Sequence, residues 1–86
     1  MSKLNVFTVR DDKANAFLSP FFMPTIAVAI RSFGAECRNS DSNFSKFPED
    51  FSLYHIGEYD EESGTITPII PVFLSRASEH VSGGQA

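Results

Sequence analysis

The residues whose types could do chemistry are concentrated in one run, FPEDFSLYHIGEYDEESG, at positions 47–64. One histidine, His55, lies there among six carboxylate side chains: Glu49, Asp50, Glu58, Asp60, Glu61 and Glu62. A histidine beside carboxylates can bind a metal ion or exchange protons. However, alternation along a strand places His55 on the face of Leu53 and Gly57, whereas Glu58 points to the opposite face. The acidic residues 60–62 fall in a turn, where such residues solvate well, so the run predicts a structural hairpin without a metal or cofactor.

The rest of the sequence offers no other catalytic pattern. Cys37, the only cysteine, lies on the predicted core-facing side of a helix, and a buried thiol is unreactive. One cysteine supports neither an internal disulfide nor a thiolate zinc site, and it fits a reducing, intracellular setting. The sequence has no glycine-rich phosphate loop, no Gly-x-Ser-x-Gly elbow and no His-Glu-x-x-His motif. We therefore predict a protein that is not an enzyme and has no catalytic residues.

The net charge of −4 is unevenly distributed along the chain. Residues 1–38 hold five basic and three acidic residues, a net charge of +2, whereas residues 39–86 hold two basic and eight acidic residues, a net charge of −6. Strong non-specific binding to nucleic acid usually needs a basic footprint over a whole domain. This distribution excludes a genome-condensing peptide and leaves room for a modest local contact with DNA.

Length and hydropathy predict one small domain without a membrane-spanning helix. The 86 residues lie near the lower end of the size range that folds unaided, and 42% of them are apolar, which is a globular composition. The longest uncharged run, residues 14–30, is shorter than the roughly 20 residues of a membrane helix and is interrupted by Pro20 and Pro24. The first residues lack the apolar segment of a secretion signal.

The elements that must position these residues begin with a strand. Residues 3–10, KLNVFTVR, mix β-branched and aromatic residues and end at a charged turn. Val6 and Thr8 should point to one side, and Phe7 and Val9 to the other. Apolar groups on both faces predict a strand that is interior to a sheet or covered on each side.

A connection and a helix follow the first strand. Residues 11–23 predict a long connection with one helical turn around residues 13–18, because the prolines that follow disfavour a continuous helix. Residues 24–39 predict a helix with Pro24 in its first turn. Its core-facing stripe has the three-and-four spacing of one helical face: Ile26, Ala29, Ile30, Phe33 and Cys37.

The second half of the chain predicts a β-hairpin. Residues 51–59 and 65–70 are rich in strand-forming residues, and residues 60–64 between them contain a glycine, which is typical of a hairpin turn. Pro68 and Pro71 cannot donate to a strand ladder, so the last strand should lie at an edge of the sheet.

The order strand, helix, strand, strand predicts a small α+β domain with one helix packed on a three-stranded sheet. We expect residues 1–76 to form this single domain. Residues 77–86 end in small polar residues and should form a frayed tail.

Two groups of residues are candidates for binding. Arg31 and Arg38 project from the helix within about 20° of each other, away from the apolar stripe. Together with Arg10 and Lys13 they are the candidate nucleic-acid-binding residues, although arginine on a helix exterior is also usual on an ordinary solvated face. The second group comes from the nine phenylalanines, which are many for so small a core. The candidate interface residues, which the two long loops could instead bury, are Phe21, Phe22, Phe44 and Phe47.

Two stretches carry a family resemblance: KLNVFTVRDDKANAFLSPFFMPTIAVAIRSF and FPEDFSLYHIGEYDEESG. They resemble the small non-structural protein of gokushoviruses, single-stranded DNA phages of the Microviridae, over roughly residues 3–64. The shared pattern consists of Val9, Asp11, Lys13 and Ala14; residues 20–22; residues 29–33; residues 48–50; and Leu53, Tyr54, Gly57, Tyr59 and Asp60. The resemblance implies a non-structural phage protein in the host bacterial cytoplasm, with a genome role likened to that of the C protein of phiX-type microviruses.

Three functions follow from these observations. The first is a non-catalytic accessory protein that acts in viral single-stranded DNA synthesis or genome packaging by contacting a phage replication protein or a procapsid. The second is a protein that binds single-stranded DNA weakly through the arginine face. The third and most distant is a metal-dependent nuclease built on the acidic hairpin. The small core and a free sheet edge also favour a homodimer, and no membrane partner is expected.

Overall fold

The structure, a computed structural model, describes residues 3–81. Within that range, five strands form one antiparallel sheet: β1 (Lys3–Asp11), β2 (Ala16–Phe17), β3 (Phe21–Met23), β4 (Phe51–Asp60) and β5 (Thr65–Arg76). The helices are α1 (Ile26–Cys37), α2 (Asn43–Lys46) and α3 (Ser78–Val81), with a 3₁₀ helix at Pro48–Asp50. The content is therefore mixed α and β, as the sequence predicts, but the sheet has two more strands than expected.

Strand β1 lies inside the sheet. It pairs with β4 along one side, and with β2 and then β3 along the other side. Strand β4 pairs in turn with β5, which forms the opposite edge. The interior position of β1 agrees with its apolar groups on both faces, and the edge position of β5 agrees with its two prolines.

The core lies between the sheet and α1. Phe7, Val9 and Leu53 point from the sheet into a buried cluster with Phe33 and Cys37 of the helix. Each fully buried side chain of this size stabilises the fold by about 1.5–3 kcal/mol relative to an exposed one. The helix begins where the Thr25 hydroxyl oxygen accepts the backbone N–H of Val28 at 3.1 Å. Pro24 therefore precedes the helix, rather than lying in its first turn as the sequence suggested.

The connection between β1 and α1 is the clearest correction to the sequence-based prediction. In place of a helical turn around residues 13–18, the chain forms a tight turn and the strand β2. The Asp11 carboxylate accepts the backbone N–H groups of Lys13 and Ala14 at 3.0 and 3.2 Å, and Asn15 adopts a left-handed φ of 59°. The chain then returns along the free edge of β1, where backbone pairing satisfies more polar groups than one isolated helical turn would.

The segment after β5 is also better packed than a frayed tail. Ala77 is buried in the core, and its N–H donates to the Phe51 carbonyl oxygen at 2.9 Å. Helix α3 then places His80 against the ring of Phe33, with centroids 5.7 Å apart. Contacts of this kind hold residues 77–81 against the domain, whereas residues 82–86 of the predicted tail lie outside the described residues.

Candidate interaction surface on the open face of the sheet

One side of the sheet is left uncovered by the helices. Both α2 and α3 contact α1, so the described helices lie together on the side that Phe7 and Val9 face. We call the opposite side the open face. The strand register places these side chains on it: Val6, Thr8, Arg10, Phe17, Phe22, Tyr54, Tyr59 and Phe73.

A β-bulge in β4 makes the open face continuous. Phe7 pairs with His55 and Val6 pairs with Gly57, so Ile56 is an extra residue in β4. Strict alternation would send Tyr54 and Tyr59 to opposite faces because an odd number of steps separates them. The extra residue shifts the alternation of side chains in β4 by one position, and both tyrosines therefore lie on the open face.

A glycine is required beside the bulge. A Cβ atom at position 57 would lie 2.7 Å from the backbone oxygen of Thr67 on β5. That distance is too short for any side chain, and a backbone atom of a paired strand cannot move aside cheaply. Gly57 therefore permits the close approach of β4 and β5.

Three aromatic rings form a row across the open face. Phe17 on β2 packs edge-on against Tyr54 on β4, with centroids 5.6 Å apart, and Tyr54 packs in the same way against Phe73 on β5 at 5.9 Å. Phe17 and Phe73 remain 46% and 47% exposed. The guanidinium carbon of Arg10 lies 5.2 Å from the centre of the Phe17 ring, a cation–π contact. We call Phe17, Tyr54 and Phe73 the aromatic row.

A second aromatic pair and a hollow extend the surface. Phe22 on β3 packs against Tyr59 on β4 with centroids 5.5 Å apart. A separate open hollow of about 370 Å³ is lined by Thr8, Phe17, Leu18, Pro20, Ile56 and Pro71. The Thr8 hydroxyl donates to the Leu18 carbonyl oxygen at 2.7 Å, so its polar group is already satisfied. The hollow therefore presents an apolar lining to whatever enters it.

Two arginines flank the aromatic row. Arg10 and Arg76 both lie near the Asp12 carboxylate, with Nε–Oδ1 and Nη1–Oδ2 distances of 3.0 and 3.5 Å. Arg76 also donates to the Glu49 carbonyl oxygen at 2.9 Å. One carboxylate is thus shared by two guanidinium groups, and the Glu79 carboxylate, which accepts the Arg76 backbone N–H at 3.0 Å, lies close by.

The four predicted nucleic-acid-binding cations do not form one patch. Arg31 is exposed on α1, and Arg38 caps the C-terminal end of that helix. Arg10 points to the open face, on the other side of the sheet. Lys13 lies in the β1–β2 turn and lines a second hollow.

The four predicted interface phenylalanines also divide into two groups. Phe21 stacks on Phe7, and Phe44 packs against Phe33 and Phe51 of the core. Phe22 is exposed on the open face, whereas Phe47 is 56% exposed beside α2.

The strict alternation predicted for β4 is wrong, because the bulge at Ile56 places Glu58 rather than Gly57 on the face of His55. His55 and the hairpin carboxylates nevertheless do not converge. The His55 ring is half-buried against Phe7, with centroids 5.1 Å apart, and its Nε2 lies 3.0 Å from the Gly57 carbonyl oxygen. The Asp60 carboxylate accepts the Glu62 backbone N–H at 2.9 Å and so orders the turn. Within residues 3–81, no group of three histidine, cysteine or acidic side chains is arranged to hold a metal ion.

Cys37 is fully buried in the core. Burial raises the pKa of its thiol to about 11, which the neighbouring Arg38 charge opposes and Glu36 reinforces. Because the thiolate is the nucleophilic form, this thiol is unreactive near neutral pH.

The open face contains candidate binding residues that were not among those predicted from the sequence. Tyr54 and Tyr59 appear there only as part of the family pattern, Phe73 lies beyond the predicted strand of residues 65–70, and Phe17 falls in the predicted connection. One sequence signal could have located Phe17. Residues 11–15 are rich in Asp and Asn, which favour a tight turn, and a turn there would bring the following residues back alongside β1.

The chain belongs to a phage protein family. A family model described as phage ORF5 protein matches residues 4–80, nearly the whole chain. No curated protein and no solved structure matches the sequence significantly. None of the helices in residues 3–81 is long and apolar enough to cross a membrane.

Proposed function

We propose that the chain is a non-catalytic accessory protein that acts in viral single-stranded DNA synthesis or genome packaging through protein contacts in the host bacterial cytoplasm. Its proposed partner is a phage replication protein or a procapsid protein. Membership of the phage family supports a viral role, and the gokushovirus resemblance supports the finer assignment to a single-stranded DNA phage. The observation that carries the proposal is the exposed aromatic row on the open face.

The size of the exposed apolar surface supports a contact role. Phe17, Phe22 and Phe73 are each close to half exposed. A phenylalanine side chain presents about 150–250 Å², so these rings alone expose on the order of 300 Å². Leu18 and Ile66 extend the patch towards the roughly 300–600 Å² that is the largest on a typical monomer and is often functional.

Site-specific photo-crosslinking in infected cells tests the proposal. A photoreactive phenylalanine analogue replaces Phe73, and the control places the same analogue at Phe47, which is similarly exposed but lies beside α2. We expect light-dependent adducts with a phage replication or procapsid protein, identified by mass spectrometry, from position 73 but not from position 47. Equal adducts from both positions, or no adduct with any phage protein from position 73, would overturn the proposal.

A second candidate function, weak binding of single-stranded DNA, is favoured by the contact between Arg10 and Phe17. A cation beside a row of half-exposed rings is a combination that binds single strands, because each stacked base contributes about 1–3 kcal/mol. Asp12 offsets the charge of Arg10 and Arg76, so phosphate contacts should add little. Two such contacts predict a log–log salt slope of roughly −1.4.

Fluorescence anisotropy with a labelled oligothymidine tests this candidate. We expect binding at low salt only, which is lost in an Arg10→Ala/Phe17→Ala variant and retained in an Arg31→Ala/Arg38→Ala variant. The reverse pattern would place the DNA contact on α1, as the sequence first suggested. Tight binding near physiological salt would contradict both assignments.

A further inference from the structure

We propose that the partner protein binds the open face through a short apolar segment that is followed by lysine or arginine residues, with the basic end of the segment at the hairpin turn. We call the four carboxylates at that turn the acidic tip: Glu58, Asp60, Glu61 and Glu62. This inference rests on the proposed function, because it names the chemistry of the partner that the open face contacts.

The acidic tip carries more negative charge than its neighbours balance. Among the basic residues of the described strands, Lys3 alone lies there, since it pairs with Asp60 and its Nζ is 3.9 Å from Glu58 Oε1. Four carboxylates and one ammonium group give a net charge of −3. Residues 39–86 contain only two basic residues, of which Arg76 ends β5 far from the turn and Lys46 belongs to α2.

The acidic tip adjoins the open face. Tyr59 and Ile66 pair across the hairpin and form the last pair on that face. The next pair is Asp60 with Thr65, roughly 3.4 Å further along the strands, and Glu61 follows in the exposed turn. Alternation directs the Asp60 carboxylate to the other side of the sheet. The Debye length is about 8 Å at physiological ionic strength, so its charge still acts on a cation at the strand ends.

The open face itself is uncharged between the acidic tip and Arg10. The strand register directs Lys3 and Glu58 to the helix side and leaves apolar and hydroxyl side chains on the open face. A charged group bound over the aromatic rings would lose water without gaining a partner. A segment along this face therefore needs apolar residues over the rings and basic residues only where it reaches the tip.

The area of the open face suits a segment better than a globular surface. Its exposed apolar patch, on the order of 300–600 Å², is smaller than the ~800 Å² that each partner contributes to a standard interface. Pro68 and Pro71 on β5 carry no N–H group, which disfavours binding of the segment as an additional strand. The contact is therefore made by side chains.

The acidic tip also separates this partner from single-stranded DNA. Its carboxylates attract lysine and arginine but repel phosphate groups. Neutralising the tip should therefore weaken the binding of a basic segment and strengthen the binding of an oligothymidine.

Mapping the crosslinked partner peptide tests the inference. The photoreactive phenylalanine analogue replaces either Phe73 or Ile66 in infected cells, and mass spectrometry sequences the attached partner peptide. We expect the attachment site from position 66 to lie within about five residues of at least one pair of basic residues, a distance that an extended chain spans in roughly 17 Å. The attachment site from position 73 should lie further from those residues along the same segment.

Charge neutralisation measures the contribution of the tip. The probe is a synthetic copy of the crosslinked peptide, and the variant Glu61→Gln/Glu62→Gln removes two exposed carboxylates from the turn. We expect its dissociation constant to rise roughly threefold to tenfold at low salt, and to match that of the wild type at high salt. The matched control is Glu36→Gln/Asp41→Asn, which changes the net charge equally at and beyond the end of α1 and should leave binding unchanged.

Three results would overturn the inference while leaving the proposed function intact. They are an attached phage peptide without basic residues nearby, basic residues closer to the position 73 attachment site than to that of position 66, and equal changes in the two neutralised variants. If position 73 gives no adduct with any phage protein, the proposed function fails and the inference fails with it.

Discussion

Tyr54 on β4 and Phe73 on β5 face each other across the hairpin, with their rings edge to face and their centroids 5.9 Å apart. The pair lies on the open face, away from the core cluster that Phe7 and Leu53 form with α1. Phe73 keeps about half of its surface in contact with water. The ring therefore contributes less to folding than a core phenylalanine does, which allows its role in binding to be separated from its role in stability.

We expect Phe73→Ala to lower the free energy of unfolding by about 1 kcal/mol, and Phe7→Ala by about 3–5 kcal/mol. Urea unfolding of the two variants measures the difference. A double-mutant cycle with Tyr54→Ala should give a coupling energy of about 0.5–1.5 kcal/mol. A Phe73→Ala cost as large as that of Phe7→Ala would show that this ring belongs to the core.

Gly57→Ala should destabilise the protein by about 3 kcal/mol, because its Cβ would meet the Thr67 backbone oxygen at 2.7 Å and a backbone atom of a paired strand cannot easily move. The matched control is Gly64→Ala in the hairpin turn, where φ is +72° but no atom lies within 4 Å of the added carbon. That change should cost only about 1–2 kcal/mol of backbone strain. Thermal or urea unfolding measures the loss of stability in both variants. If the two losses are equal, the close approach of β4 and β5 is not what requires glycine at position 57.

The spacing of apolar residues correctly predicted the buried side of α1 and the position of β1 inside the sheet. The buried residues Ala29, Phe33 and Cys37 follow the helical spacing of the α1 stripe, and the alternation of β1 correctly indicated an interior strand. Ile26 departs from the stripe because it lies at the first helical position, near the end of the covered surface, and it is exposed.

The remaining features depend on contacts between distant residues. Strands β2 and β3 are two and three residues long, and they exist because the free edge of β1 accepts them. The Ile56 bulge depends on the register between β1 and β4, which no window of sequence contains. That bulge decides on which face Tyr59 lies. The residues of the open face could therefore not be predicted from strand alternation alone.

The buried Cys37 thiol predicts a pH dependence of stability. Its pKa is about 11 in the folded chain and 9.0 as the ordinary value, so the folded state holds the proton more tightly. The stabilisation is complete below pH 9 and is lost as the pH rises through about 11. The free energy of unfolding should therefore fall by roughly 2–3 kcal/mol over that range.

Comparison with Cys37→Ala isolates this effect, because tyrosine and lysine titrations are common to both chains. Between pH 9 and about 11, Cys37→Ala should lose less unfolding free energy than the wild type. Below that range, the native thiol should react with a disulfide reagent only after unfolding. Rapid reaction of the folded protein near pH 8 would contradict its burial.

Added Mg²⁺, Mn²⁺ or Zn²⁺ should leave the melting temperature unchanged, because His55 and the hairpin carboxylates point to different partners. A specific site would stabilise the folded state in proportion to the logarithm of metal concentration. His55→Ala is the control. A rise in melting temperature that disappears in this variant would reveal a site that the geometry does not support.

The most direct measurement is the yield of viral single-stranded DNA per infected cell when the phage gene carries substitutions on the open face. Phe73→Ser should reduce this yield on the order of tenfold, as the loss of an interface anchor does. Phe47 is similarly exposed but lies beside α2, and Phe47→Ser, compared at the same protein level, should leave the yield close to that of the wild type. If both variants support normal yields, or if Phe47→Ser is the more damaging change, the open face is not the functional surface of this protein.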